Sequence, residues 1–399
     1  MKRILFLIAR LNGGGAERAL SNITLAMPDD IQIDILVNCE EPEKDYPHRG
    51  NVISVTRLDN KKIRVPYPIR VFCGRFIKLK ELKKKGHYNA CISFMDEPNI
   101  VNILTGNKYC KVILSERTTL SKINSKKYRH RIKPLARLLY KKADKIVAVS
   151  KGVEDDLNNN FDIMKEKLVT IYNGYDVSMI KKQAGEKVNL GFDKECFYFL
   201  NTGRIDSSKA QWHLIRAFSK VVQKHSECRL IICGQGPYKG MLENIVLVNG
   251  LQEKVIFLGF VKNPYAVSKQ CDVFVFPSMH EGMPNALIEN MICGLPVIAT
   301  DFRSGAREIL APDTDYRYQI KDTVEVSEYG ILTPVCSGNK KLVSEDLERE
   351  EKLLADAMLR LVEDSSMRMH YSEQSKKRAR DFEIQKQVEQ WLSILDGEN

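Results

Sequence analysis

Apolar segments of strand length alternate with helix-like segments through almost the whole chain. In the first half, strand candidates cover residues 2–9, 31–37, 52–55, 88–94, 111–114, 145–149 and 168–172. Helix patterns at 17–27, 69–84, 100–106 and 133–142 fall between them. A second series follows Lys187, with strands at 196–200, 229–233, 255–258 and 273–276 and helices at 210–225, 239–248 and 266–269. This alternation admits few folds. Strands joined through helices run parallel, and a parallel sheet needs both faces covered. The chain is therefore expected to be α/β, with two halves that each carry a parallel sheet. The polar stretch 179–187 is the linker candidate, dividing 1–178 from 188–375. Helix patterns at 353–362 and 384–395 come after the second sheet is complete, and no repeat of 20–50 residues or low-complexity tract is visible.

A length of 399 residues suits two or three domains, each able to bury a core. The longest apolar runs, such as residues 4–9, are far too short to span a bilayer. Met1-Lys-Arg and the apolar run after it have the outline of a signal peptide, but the run is short and Arg10 interrupts it. A soluble, cytoplasmic chain is expected. Ten cysteines, among them Cys39, Cys91, Cys196, Cys233 and Cys271, form no C-x-x-C pair and suit buried reduced thiols. Charge is uneven. Residues 57–145 hold 24 Lys/Arg and 6 Asp/Glu, a net of +18 in a chain of +11. Such a surface attracts phosphates of lipid, lipid diphosphate or nucleic acid, unless it is only a solvated face. Few aromatics interleave the basic clusters and no nucleic-acid motif occurs, so no nucleic-acid partner is expected.

The most informative motif is Glu281-Gly-Met-Pro-Asn-Ala-Leu-Ile-Glu289. The apolar strand 273–276 precedes it, and Gly294 and a second strand at 295–299 follow. The pattern reads as strand, tight turn, helix, glycine stop, strand. The turn presents helix N–H groups at the strand ends, where open α/β sheets bind anions. Glu281 falls in the loop and Glu289 about two turns into the helix. The bland alternative is two solvated glutamates.

Three glycine turns follow strands in the same way. Asn12-Gly-Gly-Gly-Ala-Glu-Arg18 opens the first helix, its glycines letting a diphosphate or sugar approach the backbone. A dinucleotide fingerprint is the competitor here. Gly13 and Gly15 fit, and Glu40 or Glu41 suits a ribose, but Arg18 stands where close packing wants Gly or Ala. Gly203-Arg-Ile-Asp-Ser-Ser-Lys209 places Arg204 and Lys209 across a turn, where two cations can grip a diphosphate. Cys233-Gly-Gln-Gly-Pro237 is a third, weaker turn.

Together these motifs resemble the GT-B fold retaining glycosyltransferases of family 4, marked by E-x7-E. The resemblance is strongest from Asn201 to Pro334 and extends to Val149-Ser-Lys-Gly-Val153, Tyr172-Asn-Gly-Tyr-Asp176, Arg307-Glu-Ile-Leu310 and Tyr329-Gly-Ile-Leu332. It implies two Rossmann-like domains facing across a cleft: acceptor binding in 1–178, nucleotide-sugar binding in 188–375, and a C-terminal helix, 376–399, returning to the first. The first glycine loop and Ser115-Glu-Arg-Thr118 look like the branch that builds lipid-linked bacterial surface glycans such as O-antigen, lipopolysaccharide and capsule.

Roles carry over residue by residue. Arg204 and Lys209 would neutralise the leaving diphosphate, and Glu281 would hold a sugar hydroxyl. Glu289 would anchor the ribose. Gly14, Gly15, Gly203 and Gly234 would line the phosphates and nucleotide. Phe260 and Val261, after Phe257-Leu-Gly259, would flank the base. Backbone N–H groups in Gly282, Met283, Pro284, Asn285, Ala286 and Leu287 would orient the sugar, proline apart. The sequence departs from the family twice. Ala210 replaces a common glycine, and the loop Ser115-Glu116-Arg117 lacks the family's histidine. Arg18, Glu116 and Arg117 are the candidates for acceptor or sugar contacts.

The implied reaction moves a hexose or N-acetylhexosamine from a UDP-sugar to a glycan, with retention, the diphosphate itself taking the acceptor proton. The acceptor is expected to be polyprenyl-diphosphate-linked. Domain closure would bring the Gly13–Gly15 loop onto the phosphates and exclude water. No cofactor or metal is implied. Asp313-Thr-Asp315 is formally D-x-D but has no strand before it and reads as a loop. The basic helices 67–85 and 128–142 mix Phe72, Phe76 and Leu79 or their equivalents with lysines, which suits an anionic membrane surface as well as an ordinary sheet-covering helix. The enzyme is expected to be peripheral on the inner membrane face, as a monomer or weak homo-oligomer. Alternatives are a GDP-mannose-dependent transferase, a UDP-sugar 2-epimerase, which would lack the paired signals, and a non-catalytic nucleotide-sugar-binding subunit.

Overall fold

A computed structural model describes residues 2–55, 67–123, 128–342 and 347–397. Parts of the basic stretch, 57–66 and 124–127, thus lie outside the described residues. The chain forms two compact units, one of residues 1–174 with 384–399 and the other of residues 175–383.

In the first unit, seven strands build one parallel sheet. They are β1 (Arg3–Leu7), β2 (Gln32–Val37), β3 (Asn51–Ser54), β4 (Ala90–Phe94), β5 (Lys111–Glu116), β6 (Lys145–Ala148) and β7 (Leu168–Thr170), in the order β3-β2-β1-β4-β5-β6-β7. β1 pairs with β2 (Ile4 opposite Ile33) and with β4 (Ile4 opposite Ala90). The order reverses between β1 and β4, and the loops leaving these strands there open a crevice at their carboxyl ends. Strands buried on both faces read as continuous apolar runs, which is why they were legible. One face of the core joins Ile4, Phe6, Ile35, Ile92, Phe94 and Val147 to Val388, Trp391 and Ile394 of the final helix, Ile384–Asp396. Trp391 stacks on Phe94 with ring centroids 6.2 Å apart. The Lys111 ammonium donates to Leu395 O at 2.9 Å, as a cation at a helix C-terminus should.

The second unit repeats the plan with β8 (Phe197–Thr202), β9 (Cys228–Cys233), β10 (Val255–Gly259), β11 (Val273–Phe276), β12 (Val297–Thr300), β13 (Glu325–Ser327) and β14 (Gly330–Thr333). Their order is β10-β9-β8-β11-β12-β14-β13, with only β13 antiparallel to its neighbour. The switch point now lies between β8 and β11. Trp212, Phe218 and Leu214 from helix Gln211–Lys224 and Leu354 and Met358 from helix Arg349–Glu363 fill the core against this sheet.

Several expectations need correction. The stretch 179–187 is not an open linker, because Asp176 caps a helix, Val177–Ala184, by accepting from Met179 N at 2.8 Å. The unit boundary falls between Gly174 and Tyr175, and the return between Glu383 and Ile384. Residues 376–399 are not one helix. Ser365–Ala379 belongs to the second unit, and a break at Arg380–Phe382 precedes the returning helix. Helix Lys151–Phe161, capped by Ser150, and the β13–β14 hairpin had no element assigned. All ten cysteines are free thiols, and burial pushes those of Cys91, Cys228, Cys233 and Cys293 up to about 12, so they are inert at neutral pH. Among the described residues, no helix is long and apolar enough to cross a membrane.

Candidate functional site

The loops leaving β8 and β11 flank the switch point and bring two predicted residues into contact. The Lys209 ammonium donates to Glu281 Oε1, 72 residues away in sequence. Both side chains are largely buried, and the ammonium lies over the Phe276 ring, 5.1 Å from its centroid. A cation over an aromatic face and against a carboxylate is fixed in position before any ligand arrives. Arg204 behaves differently. Its side chain is 76% exposed and its Nε donates to Asp206 Oδ2 at 2.6 Å. Asp206 in turn holds the turn together, accepting from Ser208 N at 2.9 Å and Ser208 Oγ at 2.7 Å. Burial alone would raise the Asp206 pKa, but the bonds from Ser208 and Arg204 outweigh it and hold the carboxyl below its usual value. The expected two-cation grip is therefore one anchored lysine and one exposed arginine.

The glycine turns after β8 and β9 pack backbone on backbone. Gly203 N donates to Cys233 O at 3.0 Å, and Gly234 N to Gly259 O at 2.7 Å. A Cβ on Gly234 would stand 1.9 Å from Gly203 O, and its φ of +156° suits glycine alone. Phe260, which follows, is 77% exposed, a large apolar ring left on the surface beside this turn, and Val261 is part-buried.

Helix Asn285–Ile292 begins at Pro284 with no side-chain cap. Its first turn is only partly open: Asn285 N donates to Met283 O and Leu287 N to Pro284 O, both at 3.0 Å. The expectation that every N–H from Met283 to Leu287 serves a sugar is corrected accordingly. Met283 and Leu287 turn their side chains into the protein, whereas Asn285 and Ala286 are part-exposed. Glu289 is nearly buried beside the Tyr265 hydroxyl, which donates to it at 3.4 Å. Gly294, at φ +85°, ends the element where a left-handed residue is needed.

In the first unit, Gly14 is the N-cap of helix Gly15–Ala26, and Arg18 stacks its guanidinium 5.2 Å from the Tyr46 ring centroid. Glu116 is a correction. It is fully buried, with Oε2 accepting from Tyr140 OH at 3.1 Å and Oε1 from Arg117 N at 3.0 Å. Burial, then the charge of Asp96, pushes its pKa well above the carboxylate range, and a side chain with no exposed surface has no face open to an acceptor in this arrangement. Asp96, at the start of helix Asp96–Leu104, is also raised, to about 7, by burial and then by Glu97. Arg117 faces the other way, holding Asn173 Oδ1 and Ser115 Oγ (3.3 Å) and lying 5.5 Å from the Phe94 centroid.

One polar cluster went unread. His213 Nδ1 lies 2.7 Å from Glu351 Oε1, and Arg216 donates to both Glu351 oxygens at 2.8 and 3.0 Å, all fully buried. Glu348 completes a set with metal-ligand spacing. Gly338 N donates to His213 Nε2 at 3.2 Å, so the ring donates through Nδ1 and both nitrogens are used. The cluster is a clamp between two helices, completed by backbone groups: Gly338 N on His213 and Glu348 N, which donates to Glu351 Oε2 at 2.8 Å.

Two family models match. Glycosyltransferase Family 4 covers residues 13–179, and Glycosyl transferases group 1 covers residues 183–329. An uncharacterized glycosyltransferase of Methanocaldococcus jannaschii is 32% identical, over 85% of this chain and 87% of that protein. The N-acetylgalactosamine-N,N'-diacetylbacillosaminyl-diphospho-undecaprenol 4-alpha-N-acetylgalactosaminyltransferase of Campylobacter jejuni is 28% identical over the full length of both chains. HepE of Anabaena, solved in complex with UDP, shares the fold across 100% of both chains at a TM-score of 0.74 and 20% identity. The chain is a glycosyltransferase of family 4 with the GT-B fold.

Proposed function

We propose that this enzyme transfers a hexose or N-acetylhexosamine from a UDP-sugar, with retention, to a saccharide carried on polyprenyl diphosphate. The single observation that carries the reading is the Lys209–Glu281 pair at the switch point of the second sheet, heading the E-x7-E helix. Lys209, with Arg204 swinging from Asp206, neutralises the departing diphosphate. Glu281, released from Lys209 as the phosphates arrive, accepts a hydroxyl of the sugar. Glu289 anchors the ribose, Gly203 and Gly234 leave room for the nucleotide, and Phe260 and Val261 border the base. From the first unit we keep Gly14 and Gly15 as donor-binding residues and Arg18 and Arg117 as acceptor or sugar contacts, and withdraw Glu116. The full-length similarity to the Campylobacter jejuni enzyme supports a lipid-linked acceptor, and the UDP complex of HepE supports a uridine donor.

The test is a donor screen on the purified chain with UDP-glucose, UDP-galactose, their N-acetyl forms and GDP-mannose, following nucleoside diphosphate release and the anomeric configuration of the product. A UDP-sugar should turn over with retention and keep most of its rate in EDTA, because the compensating charge is supplied by side chains. Turnover of GDP-mannose alone selects the mannosyltransferase reading. Loss in EDTA with rescue by Mn²⁺ overturns the metal-free mechanism.

We place the enzyme on the inner face of the membrane. Helix Tyr67–Lys85 turns Leu79 and Phe76 toward the core, which removes Phe76 from the expected membrane face. It leaves Ile69, Phe72 and Ile77 outside, and helix Lys133–Leu139 exposes Leu135 and Leu138 beside Arg137. Exposed apolar residues among cations suit an anionic interface. Vesicles with anionic lipid should bind the enzyme at low salt. Ile77→Ser with Leu138→Ser, both about two-thirds exposed, should abolish whatever binding survives high salt without lowering thermal stability. Indifference of the wild type to anionic vesicles at low salt would sink the assignment.

A further inference from the structure

Four consecutive residues, Asn173-Gly-Tyr-Asp176, carry the chain from the first unit into the second, and each is tied down differently. Asn173 Oδ1 accepts from Arg117, a candidate acceptor-side residue at the end of β5. Gly174 O accepts from Asn22 Nδ2 at 3.0 Å, and a Cβ there would come within 2.9 Å of the Ile384 backbone. Tyr175 N donates to Phe382 O at 2.9 Å, beside the point where the chain crosses back. The Tyr175 hydroxyl, on a side chain only 2% exposed, donates to Asn285 Oδ1 at 2.6 Å. Asn285 is the first residue of the E-x7-E helix and the partly exposed end of the turn that starts at Glu281. Two residues apart on one backbone, then, one side chain holds Arg117 and another holds Asn285.

We infer that Tyr175 is a positioning residue for transfer: its hydroxyl fixes Asn285 and with it the sugar-facing turn 281–285, and ties that turn to the crossing segment. This deepens the proposed function and rests on it. A tyrosine serving only to fill space needs no hydroxyl, whereas a buried hydroxyl left without its amide partner would be costly, so the pair specifies one geometry. The bond also sets which end of the Asn285 amide faces the tyrosine. The nucleotide is gripped elsewhere, by the turns after β8 and β9, so the sugar step and the nucleotide step should separate on mutation.

The experiment is Tyr175→Phe, which removes one oxygen and keeps the ring. The Kd of the nucleoside diphosphate that the wild type binds, UDP or GDP, is measured by calorimetry. Steady-state transfer from the matching nucleotide-sugar is measured beside it. Transfer kcat/KM should fall about 3–10-fold, the factor an ordinary neutral hydrogen bond represents, while the nucleoside diphosphate Kd stays within about twofold. Asn285→Ala should lower transfer too, and the double variant should be no worse than the poorer single one. Unchanged transfer in Tyr175→Phe overturns the inference. So does an equal loss of diphosphate binding, which would make the hydroxyl a support for the whole pocket. Additive losses in the double variant would show that the two residues act separately and overturn it as well. A wild type that binds neither UDP nor GDP instead defeats the proposed function itself.

Discussion

Lys209→Ala lowers kcat by roughly 10²–10³, the scale for losing one charge-stabilising group aimed at the reacting centre. The lysine is preorganised by Glu281 and by the Phe276 ring, so little reorganisation accompanies its encounter with a diphosphate. Its removal has a second effect, because Glu281 keeps a largely buried charge without the lysine that offsets it. Both effects act in the same direction, and Lys209→Ala should be the most damaging single change in this loop. Arg204→Ala is expected in the same range, acting only once the guanidinium leaves Asp206 for the ligand. Glu289→Ala should instead raise the donor KM most, since ribose anchoring binds ground and transition states alike. The measurement is initial-rate kinetics of nucleoside diphosphate release over a range of donor. Near-normal kcat in both cation variants would refute the diphosphate assignment.

Glu351→Ala should cost about 3–5 kcal/mol of stability, the range for removing one partner of a buried ion pair. Arg216 and His213 are fully buried and meet on this carboxylate, and the three join helix Gln211–Lys224 to helix Arg349–Glu363. Burial raises the Glu351 pKa, but the bonds from His213 and Arg216 outweigh it and leave the value lowered. A carboxylate with a lowered folded pKa stabilises above its unfolded value, about 4.3, and loses that contribution as pH falls through the folded value. Glu351→Ala should therefore lower the urea midpoint of the second unit at pH 7 and converge on the wild type in acid. Glu351→Leu with Arg216→Met, which removes the charges together, should be milder than Glu351→Ala. An unchanged midpoint in Glu351→Ala would mean that the clamp contributes packing only.

The elements were readable because their causes are local. β11 and helix Lys239–Val248 fall on the residues read from the sequence, since apolar runs, glycine stops and helical spacing act within a few residues of themselves. The hairpin of β13 and β14 and the cap at Asp176 were missed because a three-residue strand and a one-turn cap leave almost no periodic signal. The two parallel sheets and the glycine-turn chemistry at their strand ends were likewise decided by the chain's own alternation. Side-chain pairing was not. Glu116 is the last residue of β5 and Arg117 the first beyond it, so which of the two turns inward is set by the groups packed around the strand end. Lys209 with Glu281, Tyr175 with Asn285 and His213 with Glu351 lie 72, 110 and 138 residues apart in sequence. Nothing local links such pairs. Strand order and helix packing bring them together, and the energy of a buried polar group depends on the partner it meets there. The sequence determined which chemical groups stand at the strand ends; only the tertiary structure decided which of them hold one another.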